Sequence, residues 1–367
     1  MLARAAILLA ALTVACLLLA GCGSNGAAAP SATAASSAPA PSASASAPDG
    51  SVFGRVLDNP AVTVTGGQMY VAWQVNPAGA AVPRFELARA DRATGGIEAT
   101  RRLSAGYLGT PLAAEGWLWV TTSAAAGEWL LRMNPADLVV TGQISIGGRG
   151  YRGFTGLGQN LAVAGGALWV TSGSRLLRVA LRTGQVTAVI PLPGAFSSGV
   201  GASADGTVLV VSEASDGGLG SVQRRDPVTG ALLIASHPMF GVVAPRIGGI
   251  TGSGVWVTEP TGMQGYIERF STATMAPDPA TDVTGSNGID VRVADGVTWV
   301  TEQVNSRHDY CADPTTGRVL GRIPLPNPQQ DDVAAVAGRY VYYLAPAGTG
   351  AGFYLRRLSV PAGCRAG

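Results

Sequence analysis

Three glutamates, Glu213, Glu259 and Glu302, each follow an apolar run that closes on Ser212, Thr258 or Thr301. Carboxylates that recur at one place of a repeated unit gather on one sector of the surface the repeat builds. There they would hold a divalent cation such as Mg2+ or Ca2+, or a cationic ligand, or raise one another's pKa values as like charges do. The same residues would equally serve as repeat-encoded acceptors for turn amides. His308 lies in the densest polar stretch of the chain, with Asn305, Arg307, Asp309 and Tyr310 around it. An imidazole titrates near neutrality, so His308 and Glu302 are the candidates for proton transfer, and a solvated loop histidine is the plainer role. His237 is too distant in sequence to form a spaced metal motif with it. The glycine-rich stretch 147–158 carries Arg149, Tyr151, Arg152 and Phe154. Its guanidinium and aromatic groups suit an anion or a sugar, or the stretch is a plain connection. No helix pattern follows it and it has no lysine, so it is not a P-loop.

The elements that must position these residues repeat. A small turn containing Gly is followed by an apolar or aromatic run, as in Gly116-Trp117-Leu118-Trp119-Val120-Thr121 and Gly254-Val255-Trp256-Val257-Thr258. The closing residues fall at 72, 121, 171, 212, 258, 301 and 343, at intervals of 49, 50, 41, 46, 43 and 42. A strand that often carries Arg follows each anchor and ends in a turn such as Asp313-Pro314-Thr315-Thr316-Gly317. A further strand closes on proline, as in Ile323-Pro324; proline there limits more strand pairing and guards an outer edge. Trp119, Trp169, Trp256 and Trp299 hold one repeat position and are expected to be packing. Four short strands at such a period predict an all-β fold, a seven-bladed β-propeller of four-stranded antiparallel blades. The last repeat runs out of chain after its third strand, and residues 51–57 resemble a fourth strand with no blade before it. They are expected to complete blade seven and close the ring.

These repeats resemble the virginiamycin B lyase-like propellers and, more loosely, the YVTN and NHL repeat groups. The copy that carries the resemblance runs from Trp299-Val300-Thr301-Glu302 through Asp313-Pro314-Thr315-Thr316-Gly317-Arg318-Val319 to Ile323-Pro324-Leu325-Pro326. The resemblance implies the propeller architecture. The family's lyases open a macrocyclic ester with histidines and glutamates around a magnesium ion. Two residues after Glu213, Glu259 and Glu302 this chain has Ser215, Thr261 and Val304 rather than histidine.

The chain opens on an address. Arg4 precedes a run of fifteen residues, 5–19, apolar but for Thr13, shorter than the roughly 20 that a spanning helix needs, which is the form of a signal peptide. Leu19-Ala20-Gly21-Cys22 resembles the bacterial lipobox, which implies a signal peptide over 1–21 and a diacylated Cys22. Residues 22–50 are then the lipidated cysteine and a tether of mainly Ala, Ser and Pro, too poor in apolar bulk to fold. The propeller is expected over 51–367. Cys16 would leave with the signal, so Cys311 and Cys364 remain to form one disulfide in an exported protein, or to stay as two separate thiols.

Composition sets the outer bounds. The net charge of +2 over 367 residues is too weak for electrostatic nucleic-acid binding. With 47% hydrophobic residues the chain can fill a large core. All 25 basic residues are arginine. The expected function is a ligand- or protein-binding module, held on the extracytoplasmic face of the cell membrane through Cys22 and meeting a ligand or protein of the envelope. The alternative is a lyase or hydrolase working from the Glu213/Glu259/Glu302 sector with His308.

Overall fold

The computed structural model describes Val52 and residues 56–365, apart from 76–83, 105, 125–126, 148–158, 193–194, 215–219, 237–238, 240–244, 260–265, 279–287, 303–308, 328–331 and 349–351. Residues Ser46–Gly367 form one compact unit. It is a seven-bladed β-propeller, each blade an antiparallel sheet whose strands follow one another outward in chain order. Its sole described helix is a 3-10 turn, Ala362–Cys364.

Each repeat anchor forms the second strand of a blade. In blade three, Leu161–Ala164 lies innermost, followed by Ala167–Ser172, Arg175–Ala180 and Val186–Pro191. Blade four repeats this with Ala195–Ala202, Val208–Ala214, Ser221–Arg225 and Leu232–Ala235. One blade departs from the expected regularity: the inner strand of blade two breaks into Tyr107–Leu108 and Leu112–Ala114. In blade five the described part of the outer strand pairs through a bridge between Phe270 and Pro277 and a bond from Asp278 N to Arg269 O at 2.8 Å.

Blade seven contains Asp332–Ala337, Tyr340–Pro346 and Phe353–Ser359. Its fourth position is filled from the other end of the chain: Val52 N–H donates to Leu355 O at 2.8 Å, and Leu57 and Phe353 exchange two bonds of 2.8 Å. The ring therefore closes as the sequence predicts, through Val52 and Leu57; Ser51 and residues 53–55 of that segment lie outside the described residues. Leu57 is fully buried in the core between blades seven and one, with Tyr342 and Leu355.

The blades are fastened to one another at one repeated place. Where the second and third strands face each other, an aromatic or leucine residue pairs with an arginine: Tyr70 with Arg89, Trp119 with Arg132, Leu209 with Arg224, Tyr342 with Arg357. The arginine then donates to a carbonyl in the turn of the next blade. Arg89 reaches Pro135 O at 3.1 Å, Arg132 reaches Arg182 O at 3.2 Å, and Arg224 reaches Ala273 O at 3.3 Å. From blade seven, Arg357 Nη1 donates to Ala93 O and the Tyr342 hydroxyl to Arg92 O, both in the turn of blade one. Trp119, Trp169, Trp256 and Trp299 are buried in these interfaces, as their recurrence predicts. Trp256 Nε1 donates across its interface to Pro314 O at 3.2 Å. Cys311 and Cys364 are joined by a disulfide with a Cα–Cα distance of 5.6 Å, linking the third strand of blade six to the end of blade seven.

Candidate functional site

Antiparallel order sorts the loops onto two rims. The inner strands begin, and the second strands end, on what we term the upper rim; the Gly-containing turns form the lower rim. The seven inner strands surround the axis and enclose a cavity of about 360 Å3. Its lining includes inner-strand residues of every blade but the fourth. Aliphatic side chains such as Leu161, Val291 and Val293 share it with Arg246, Asp290 and Arg292.

Arg292 crosses this space. Its Nη1 donates to Ala334 O at 2.5 Å and Val62 O at 3.4 Å, which are inner-strand carbonyls of blades seven and one. Its Nη2 lies 3.2 Å from Asp290 Oδ2, and its Nε donates to the same oxygen at 3.3 Å. β-Bulges in the inner strands turn carbonyls out of the ladder, for example between Val333 and Ala335 in blade seven. The guanidinium thus satisfies groups that the bulge would leave facing the channel, and it ties the inner ends of blades six, seven and one together.

Glu259 and Glu302 end the second strands of blades five and six, Gly254–Glu259 and Val297–Glu302, and Glu213 is the last residue but one of that of blade four, Val208–Ala214. Their backbones therefore stand on the upper rim in three consecutive blades, as the repeat position predicts. Glu213 pairs in register with Phe196 and is half-buried; Glu259 pairs with Tyr266, and Glu302 with Gly288. In blades two and three the matching places hold Thr122 and Ser172, and Ser172 Oγ donates to Glu128 and, at 2.7 Å, to Gly147 O. At this repeat position glutamate thus occurs in blades four, five and six and not in blades two and three. His308, His237, Arg149, Tyr151, Arg152 and the lipidation candidate Cys22 lie outside the described residues. Among the described residues no group of three His, Cys, Asp or Glu side chains is placed to hold a metal ion.

The sequence reading missed Glu268. It lies on Tyr266–Ser271, the third strand of blade five, and burial pushes its carboxyl above the usual carboxylate range. No repeat or motif marks it; only its in-register partner Val257, buried in the interface between blades four and five, would have drawn attention to the position. Arg292 was missed as well, because its partners are backbone carbonyls of other blades.

No family model matches the chain, and no curated protein matches it. Solved structures do share its fold. BamB from Moraxella catarrhalis has a TM-score of 0.51 at 12% identity over 80% of this chain and 84% of that one. A computationally designed protein, Ika8, has a TM-score of 0.51 at 12% identity over 84% and 85%. A prolyl endopeptidase structure has a TM-score of 0.55 at 16% identity; the match covers 84% of this chain but only 48% of the endopeptidase. At these identities the likeness establishes the propeller fold alone. Among the described residues no helix is long and apolar enough to cross a membrane.

Proposed function

We propose that this protein is a cell-envelope lipoprotein whose propeller binds a ligand or a protein partner at its upper rim. Cys22, in the lipobox-like Leu19-Ala20-Gly21-Cys22, is the acylation site, and the Ala/Ser/Pro stretch after it is the tether. The observation that carries the binding reading is the acidic sector: three consecutive second strands carry glutamate at or beside their last residue, on the upper rim. A one-sided cluster of carboxylates favours a cationic group, either on a partner protein or as a bridging Mg2+ or Ca2+.

Three measurements test this. Mass spectrometry of the mature protein should find diacylglyceryl on Cys22, and Cys22→Ala should release the protein from the membrane fraction; a mature Cys22 without acyl groups would overturn the anchor. Crosslinking in intact cells should capture a partner that is lost in the Glu213→Gln/Glu259→Gln/Glu302→Gln variant. Calorimetry with MgCl2 and CaCl2 should separate a cation bridge from a direct protein contact. Capture that is unchanged in the triple variant would overturn the rim as the binding face.

A further inference from the structure

We infer that the lower rim at the seam of blades seven and one is a docking face for anionic membrane headgroups. It would set the propeller against the bilayer with its upper rim turned away. The inference rests on the reading that Cys22 carries lipid, and it concerns a different surface from the acidic sector.

Four observations converge there. The chain reaches the ring at Val52, whose N–H bonds Leu355 O at 2.8 Å, and runs from there towards Leu57 on the upper rim. Val52 is the first described residue of the ring, and it lies in this seam. At the same seam Val52 lies against Gly95 of the blade-one turn, so closely that a Cβ on Gly95 would meet Val52 Cγ1 at 1.8 Å. Beside it stands a guanidinium–tyrosine stack: Arg357 lies 4.7 Å and Arg339 5.1 Å from the centre of the Tyr340 ring. Arg339 and Arg92 are exposed, Tyr340 and Arg357 half-exposed, and Arg357 donates to Ala93 O next to Arg92. Finally, the chain from Val333 to Gly367 contains four arginines and neither aspartate nor glutamate.

Two acids of neighbouring turns border this face, and both carboxylates are engaged by backbone amides. Asp91 accepts from Ala93 N at 3.0 Å and Thr94 N at 2.6 Å, and Asp295 accepts from Gly338 N at 3.0 Å. Two guanidiniums thus share one partly exposed aromatic ring, with that of Arg92 exposed nearby. That chemistry fits a phosphate headgroup with the ring at the level of the interface. Basic residues at a membrane surface act together and are screened by salt, so a few suffice once a lipid holds the protein close.

The test uses the chain from residue 23 onward, which has no acyl site and keeps the whole compact unit. The probe is a vesicle of phosphatidylcholine with about a third phosphatidylglycerol, compared with pure phosphatidylcholine. The acyl-free protein should co-sediment with the anionic vesicles, at least about fivefold more than with neutral ones at low salt, and release as salt rises. Arg339→Glu, which touches only the ring, should abolish the difference, as should Arg339→Gln/Arg357→Gln. Arg132→Gln removes the same kind of turn bond and a ring contact, to Trp117 at 4.6 Å, at the seam of blades two and three. It should bind as the wild type does. Equal partition onto both vesicles, absence of binding, or an equal loss in Arg132→Gln would overturn the proposal. The anchor is read separately, by the mass of Cys22, so the two readings fail independently.

Discussion

Cys311 occupies in blade six the place that Arg357 occupies in blade seven: Cys311 faces Trp299 across its sheet in the register in which Arg357 faces Tyr342. At this position Arg89, Arg132, Arg224 and Arg357 each reach into the turn of the following blade. Blade seven has no such turn, because its outer strand comes from the other end of the chain. The segment after Ser359 stands there instead, and the sulfur of Cys311 is bonded to Cys364 within it. The disulfide is a covalent form of the fastening that arginine makes elsewhere in the ring.

Replacing both cysteines by serine should therefore destabilise the ring. The bridge spans 53 residues, for which chain entropy alone gives about 4 kcal/mol. Cys311→Arg/Cys364→Ser should recover about 1 kcal/mol of that by restoring a donor to the facing carbonyls. Denaturant melts under non-reducing conditions would show it; identical midpoints for wild type and the double serine variant would refute the clasp.

Deleting residues 51–57 should lower the melting temperature sharply, since it strips blade seven of the Val52 and Leu57 bonds and empties the buried site of Leu57. Deleting residues 26–46, in the proposed tether, should leave it unchanged. A calorimetric scan of both deletions decides, and equal shifts would contradict closure by the N-terminal strand.

Arg292→Met keeps much of the side-chain volume but removes the donors to Ala334 O and Val62 O and leaves Asp290 without its guanidinium. Loss of charge-assisted bonds in a partly buried place should cost about 2–3 kcal/mol. Asp290→Asn/Arg292→Met should cost less than Arg292→Met alone, because no carboxylate is then stranded. Additive losses in urea melts would contradict a coupled pair.

Acid should weaken the lower rim of blade four. Ser203 and Thr207 donate to Asp205, and Arg224 lies 2.5 Å from it, so its carboxyl is held down to about 2. A carboxyl lowered in the folded state contributes stability above its unfolded value of about 4, and that contribution disappears as pH falls towards 2. Stability measured at stepped pH should fall less between about pH 4 and 2 in Asp205→Asn than in the wild type. The effect should be modest, because the group is largely solvated.

The ring was legible in the sequence because its repeating contacts are local. An anchor such as Gly166-Ala167-Leu168-Trp169 specifies its turn, its strand and its buried ring within four residues. The end-to-end closure was also legible, since residues 51–57 have strand character with no blade before them. What depends on bringing distant carbonyls together left no local trace: the role of Arg292 follows from the positions of Val62 and Ala334, one of them 230 residues away. The broken inner strand of blade two was equally hidden, because it deviates from a repeat whose other copies predict regularity. For the site, the shared rim position of Glu213, Glu259 and Glu302 followed from their spacing, whereas the half-buried Glu268 had no spacing to reveal it.

The pairing of Val52 with Leu355 sets an order of events during synthesis. The first strand of the domain to be made is the last to find its partner, since the strand it completes emerges some 300 residues later. Until then blade one has no neighbour on one side and Leu57 has no core to occupy. Six blades can assemble as the chain appears, but the seventh cannot close before Phe353–Ser359 has emerged. A truncation near the C-terminus would therefore damage both ends of the domain at once, leaving its first strand unpaired and an open sheet edge exposed to its neighbours.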